Sequence, residues 1–279
     1  MNPFYRQPVY GVYSLCMGEI YIGTSGFSYK DWRGHFYPHE LKQDDFLRYY
    51  CSRFSFVELN FTYYRQPNAQ MLDKMRQKVH ENFFFTVKAH QSITHLREAG
   101  WQTAIEEFSE GIRPLTEAGQ CGGVLLQFPY SFHYTPENRR YLADSTAALK
   151  ENIPNTALLV EFRNSEWEQK KVFDEMETRS LGLIITDHPD LKNLPQTSNM
   201  VTATTAYIRF HGRNRENWWS GDNVSRYDYL YSRAELEERL PDIISMKNSS
   251  ARLFVAFNNH HKGQAAQNAL LFTELMEST

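Results

Sequence analysis

The chain has 279 residues, 41% hydrophobic and 23% charged, which supplies a large core and excludes a disordered polymer. Its formal net charge of −3 argues against binding nucleic acid through overall charge, though not against a local basic patch. No apolar run approaches the roughly 20 residues a membrane span needs, and an opening stretch broken by Pro3, Arg6 and Pro8 makes a poor signal peptide, so the expected compartment is the cytoplasm.

Residues 1–19 read as a loosely attached extension, with Met17 as an alternative start, and residues 20–279 as one domain. Short runs rich in Val, Ile, Leu and Phe follow at Ile20–Gly23, Phe56–Leu59, Phe83–Lys88, Gly123–Phe128, Leu158–Phe162, Leu183–Thr186, Ala206–Phe210 and Leu253–Phe257. Such runs suit strands covered on both faces. Between them lie helical patterns at Asp44–Arg53, Asn68–His80, Trp101–Ala118, Pro136–Glu151, Gln169–Arg179, Arg233–Met246 and Gly263–Met276. Pro136 suits a first helical turn after Thr135 as its cap. The stretch Pro189–Thr202 has no helical pattern, so the sixth helix is expected to be poorly formed or missing.

Strand–helix alternation calls for a parallel sheet with helices outside it. Eight units in this length predict a closed TIM-type (β/α)8 barrel, for which about 250 residues is typical. An open doubly wound sheet would want a glycine-rich phosphate turn after its first strand, and GTSGFS is not GxGxxG. Cys16, Cys51 and Cys121 are odd in number and widely spaced, which argues against a disulfide framework or a cysteine zinc site.

Barrel active sites lie at the C-terminal strand ends, where residues i and i+2 share a face. Four strands end in polar pairs around one apolar residue: Glu58 and Asn60, Lys88 and His90, Glu161 and Arg163, Arg209 and His211. Gln127, Asp187, His188, Asn258, Asn259, Thr24 and Ser25 stand at the other ends. One such pair is an ordinary strand terminus meeting solvent. Four repeated pairs predict a polar site at the barrel mouth, because unpaired charges inside a barrel are strongly disfavoured.

The interleaved signs allow mutual neutralisation, which part of the network serves. Beyond that, Arg163 and Arg209 offer forked donors to a carboxylate or phosphate, with Lys88 as a point charge. Glu58 or Glu161 is a candidate general base, and His211 or His90 a proton carrier. A divalent metal is the rival, since carboxylates and imidazoles are both present. Three nearby cations and the lack of an HExxH-type motif place it second, so no cofactor is expected. NNHHKG after the eighth strand could hold phosphate at Lys262 and Gly263, though Asn and Gly also make plain turns. Loop aromatics, among them Trp32, Tyr64, Trp167, Trp218 and Trp219, either wall a pocket or pack as lids.

The segments GTSGFSYKDWRGHFYP, ELNFTYYRQP, FTVKAHQSITH, LLQFPYSF, VEFRNSEW, YIRFHGR and FNNHHKGQAAQNA resemble those of the YecE-like family, a domain of unknown function numbered 72. They run in order over nearly the whole chain from Ile20. The resemblance implies a TIM-barrel fold and supplies no reaction. Its motif positions fall on Ser25, Trp32, Glu58, Asn60, Tyr64, Lys88, His95, Gln127, Glu161, Arg163, Trp167, Arg209, His211 and Asn259. Phe27, Tyr130 and Asn164 depart from the usual Trp, Pro and His, which touches the rim more than the charged centre.

The resulting expectation is an enzyme, of hydrolase or isomerase type, acting on a small polar anion. Glu58, Glu161 and His211 form its catalytic set, and Lys88, Arg163, Arg209, Asn60, Gln127, Asn259, Trp32 and Tyr64 its binding set. The alternatives are a nucleic-acid-binding protein or metal-dependent phosphodiesterase, and a sensor that holds its ligand without turning it over.

Overall fold

The structure, a computed structural model, describes residues 18–197, 199–220 and 222–279. The expected extension and alternative start fall almost wholly outside the described residues, although Glu19 already belongs to the first strand. Eight parallel strands close into a barrel in chain order. They are β1 (Glu19–Ser25), β2 (Phe56–Leu59), β3 (Phe84–Lys88), β4 (Cys121–Gln127), β5 (Leu158–Glu161), β6 (Leu181–Asp187), β7 (Thr205–Phe210) and β8 (Arg252–Phe257). The seam runs from Glu19 beside Arg252 to Thr24 beside Phe257.

The helices are α1 (Phe46–Cys51), α2 (Ala69–Arg76), α3 (Trp101–Glu117), α4 (Pro136–Asn152), α5 (Lys170–Thr178), α6 (Asn223–Arg226), α7 (Arg233–Asn248) and α8 (Gln264–Glu277). Their starts follow local chemistry. The Asn68 side chain accepts from Met71 N at 3.0 Å, and Ser232 with Glu235 forms a reciprocal capping box. Thr135 caps α4 ahead of Pro136. No helix joins β6 to β7 among the described residues, as the sequence leads one to expect. There Thr202 Oγ1 accepts from Leu183 N at 2.8 Å and donates to Leu181 O at 2.7 Å, supporting β6 in place of a helix. The four-residue α6, in the loop after β7, is the helix no pattern announced.

Two apolar cores follow from strand alternation. One parity, with Val57, Val87, Val160, Ile208 and Val255 among its members, packs outward against the helices. The other parity, with Phe56, Leu125, Leu159, Ile184, Tyr207, Phe254 and Ala256, fills the barrel. The inward parity continues upward along each strand, and this places the site.

Candidate functional site

Counting in twos from Phe56, Phe84, Leu125, Leu159, Tyr207 and Phe254 along the inward face reaches Glu58, Lys88, Gln127, Glu161, Arg209 and Asn258. Arg209 is the hub and is 1% exposed. Its Nη2 donates to Glu58 Oε1 and its Nη1 to Glu161 Oε2, both at 2.6 Å, while Nη1 also reaches Gln127 Oε1 at 3.1 Å. Tyr207 donates its hydroxyl to Glu58 Oε2 at 2.9 Å. Arg163 Nε meets Glu161 Oε1 at 2.5 Å, and its Nη2 lies 3.4 Å from Gln127 Oε1. Three of the four oxygens of the two buried carboxylates therefore accept hydrogen bonds, and Glu161 Oε1 is held by ion-pair contact with Arg163.

His211 closes the network behind Glu161. With the Asn258 amide donating to Nδ1 at 3.0 Å, the ring proton sits on Nε2, 3.4 Å from Glu161 Oε1. Gly212, with φ of 89°, turns the chain directly after it, a conformation that favours glycine.

Charge states follow from these contacts. Burial pushes the Glu161 carboxyl up, but Arg163 and Arg209 outweigh it and hold it well below the usual carboxylate range. Burial, then Arg163, keeps His211 neutral at physiological pH. Burial opposes the Arg209 charge, yet Glu58 and Glu161 raise its pKa above the ordinary guanidinium value. Lys88 is pulled down to about 7, first by burial and then by Arg209.

Above this network lies a cavity of about 380 Å³, walled by Asn60, Tyr63, Lys88, Gln127, Arg209 and Asn258 and by the rim residues Tyr29, Tyr64, His95, Arg226, Tyr227 and His260. Lys88 Nζ stands 4.4 Å from the Tyr63 ring centre and has no hydrogen bond or salt bridge to any described residue. Asn60 Oδ1, Arg209 Nε and Arg226 Nε are buried without partners among the described residues. Burial pulls His95 down to about 4, so its ring is neutral.

Of the residues expected from sequence, Glu58, Glu161, His211, Arg163, Arg209 and Gln127 form one connected cluster, and Lys88 and Asn60 line the cavity beside it. Tyr64 sits on the lip, 66% exposed. Two fall elsewhere. Trp32 is fully buried behind the wall and donates Nε1 to His260 O at 2.7 Å. Asn259 has outward parity, and its amide donates to Tyr229 O and to Asn268 Oδ1 of α8, each at 2.8 Å.

Asp187, at the end of β6, also has outward parity. It takes a two-pronged grip from Arg213 at 2.9 and 2.8 Å and a hydrogen bond from Tyr231. His90 turns to Ser92. The Lys262 N–H donates to the Asp31 carboxylate at 2.8 Å, so this candidate phosphate donor already faces a protein anion. Tyr207 and Arg226 were not anticipated. Tyr207 was legible as the residue two before Arg209, whereas Arg226 gave no local signal.

The ligand types for a metal are present, but Arg209, Arg163 and Tyr207 engage the carboxylates. Among the described residues, no group of three His, Cys, Asp or Glu side chains could hold a metal ion. No helix among them is long and apolar enough to cross a membrane.

A closed parallel barrel with a charged mouth defines a TIM-type barrel protein. The family described as "Protein of unknown function DUF72" matches residues 21–279, and the chain belongs to that family. It is 28% identical over 274 residues to the UPF0759 protein YunF of Bacillus subtilis, spanning 92% of this chain and 95% of that one. A crystal structure of a DUF72 family protein from Thermotoga maritima superposes with a TM-score of 0.84 at 38% identity, covering 93% of this chain and 99% of the other. One from Enterococcus faecalis gives 0.81 at 26% identity, covering 92% and 95%.

Proposed function

We propose that the barrel mouth is the active site of an enzyme that binds a small phosphate- or carboxylate-bearing organic molecule and moves protons on it. The observation that carries this reading is a single cavity lined by Lys88, which makes no hydrogen bond with any described residue, and by Asn60, Arg209 and Arg226, each with a buried polar atom that has no partner among the described residues. Buried polar groups without partners cost free energy unless a ligand or ordered water supplies them. Glu58 and Glu161 serve the fixed charge of Arg209, and His211 steadies Glu161. Lys88, which changes protonation near neutral pH, is the group suited to carry the proton. Gln127 Oε1 is already engaged by Arg209 and Arg163, whereas Asn60 Oδ1 has no partner among the described residues and can accept from a substrate hydroxyl.

Native mass spectrometry with elemental analysis of the purified protein tests this directly. The expected finding is an organic anion released on denaturation, without a stoichiometric divalent ion. A bound divalent ion would instead support the metal-dependent hydrolase. Calorimetry with inorganic phosphate and with pyruvate at low salt gives a second check. At least one should bind, and Lys88→Met should weaken it about tenfold, the loss of roughly one charge-assisted hydrogen bond. Failure of both to bind the wild-type protein sinks the reading.

A further inference from the structure

We infer that Lys88 forms an imine with the carbonyl carbon of an aldehyde- or ketone-bearing organic anion whose charged end is held by Arg226. The inference rests on the anion-binding reading above and names its substrate class.

A lysine placed only to neutralise buried acids stands within salt-bridge reach of them. Here Glu58 is engaged by Arg209 and Tyr207, and Glu161 by Arg209, Arg163 and His211. Lys88 Nζ makes no salt bridge or hydrogen bond with any described residue, and it borders the cavity. The charged and titratable groups around it come from every side: Glu58 on β2, Tyr63 after β2, His95 after β3, Glu161 and Arg163 at the end of β5, and Arg209 on β7. The two arginines disfavour an ammonium, while the carboxylates that would favour it are already paired. A partly desolvated lysine beside other cations is how amines become nucleophilic near neutral pH.

The remaining walls fit the covalent step. The neutral amine's lone pair attacks the carbonyl carbon and the C=O π pair moves to oxygen. A proton passes from nitrogen to that oxygen, giving a carbinolamine whose hydroxyl can donate a hydrogen bond to Asn60 Oδ1. A further proton taken up by the hydroxyl lets the C–O bond break and water leave, and the nitrogen lone pair closes the C=N bond. Summed, ammonium and carbonyl give iminium and water, with no change of charge and no redox partner. The Tyr63 face, 4.4 Å from Nζ, is as suitable for the iminium as for the ammonium. The iminium draws electrons from the adjacent carbon, which makes proton transfer there easier. Arg226, on α6 above the cavity, has a buried Nε without a partner among the described residues and is the cation available at the rim.

The test is reductive trapping. Pyruvate, dihydroxyacetone phosphate and uncharged dihydroxyacetone are each incubated with the protein and sodium cyanoborohydride, and the adducts are mapped by peptide mass spectrometry. At least one anionic probe should add once, on Lys88. Lys88→Arg, which keeps the charge, should lose that adduct. Arg226→Ala should slow trapping of the anionic probe about tenfold and leave dihydroxyacetone unaffected. Adducts confined to surface lysines, or none, in wild-type protein that binds the probes by calorimetry would overturn the imine and leave the anion-binding reading standing. Failure to bind any anionic probe removes both. Equal slowing for charged and uncharged probes in Arg226→Ala would overturn the role given to Arg226.

Discussion

The lower and upper halves of the barrel interior are built from the same strands, two residues apart, with opposite chemistry. Below, Tyr21, Phe56, Phe84 and Phe254 interlock their rings, with Tyr21 and Phe254 stacked at 5.0 Å. Above, Glu58, Glu161 and Arg209 occupy the next inward positions, and Lys88 the position beyond Thr86 on β3. Aromatic packing in the floor excludes water and lowers the local dielectric. In that setting an unpaired charge is very costly and a paired one is held in a single geometry. The floor is thus the reason the mouth is so fully cross-linked.

Removing the hub should break the upper half hardest. Arg209→Ala leaves Glu58 buried without its counter-ion, and should cost about 4 kcal/mol in urea unfolding. Combining Arg209→Met with Glu58→Gln, which leaves Glu161 paired with Arg163, should recover most of that loss, because the cost lies in the unpaired charge. In the floor, Phe254→Ala should cost about 3 kcal/mol through the cavity it opens, with no gain from any charge-neutralising partner change. Tyr207→Phe, at the boundary, removes a hydrogen bond to Glu58 and one shared with Thr86, and should cost about 1 kcal/mol.

A separate effect is one of pH. Because the folded state lowers Lys88 to about 7 while the unfolded chain keeps the ordinary lysine value, the unfolded state binds more protons between those limits. Lys88 therefore costs stability below about pH 7, and the penalty fades as pH rises toward the ordinary lysine range. Lys88→Met should raise the melting temperature at pH 6 relative to wild type, with the advantage shrinking by pH 10. An advantage of equal size at both pH values would show that Lys88 is not destabilised as an ammonium.

Much of this was legible in the sequence because strand period and burial leave few options. The eight apolar runs, the missing sixth helix and the polar pairs at strand ends all follow from alternation. The misplacements also follow from alternation, applied one residue out of step. Asn258 and Asn259 look equivalent as letters, yet only Asn258 continues the inward series Phe254, Ala256. Asp187 is outward in the same way, next to Thr186 and His188. The same series, Tyr207, Arg209, His211, contains the tyrosine that was overlooked. Arg226 differs in kind: it reaches the cavity through a long loop, and no local period reports where a loop folds back.

Arg209 ties β7 to both β2 and β5, partners 151 and 48 residues earlier in the chain. During synthesis the first five strands can emerge from the ribosome with Arg163 beside Glu161, while Glu58 still awaits the guanidinium that engages it. Until the seventh has been made, Glu58 lacks both side chains that engage it, Arg209 and Tyr207, so the growing chain has an electrostatic reason to stay open. The cation that arrives last acts as the latch that lets the ring shut.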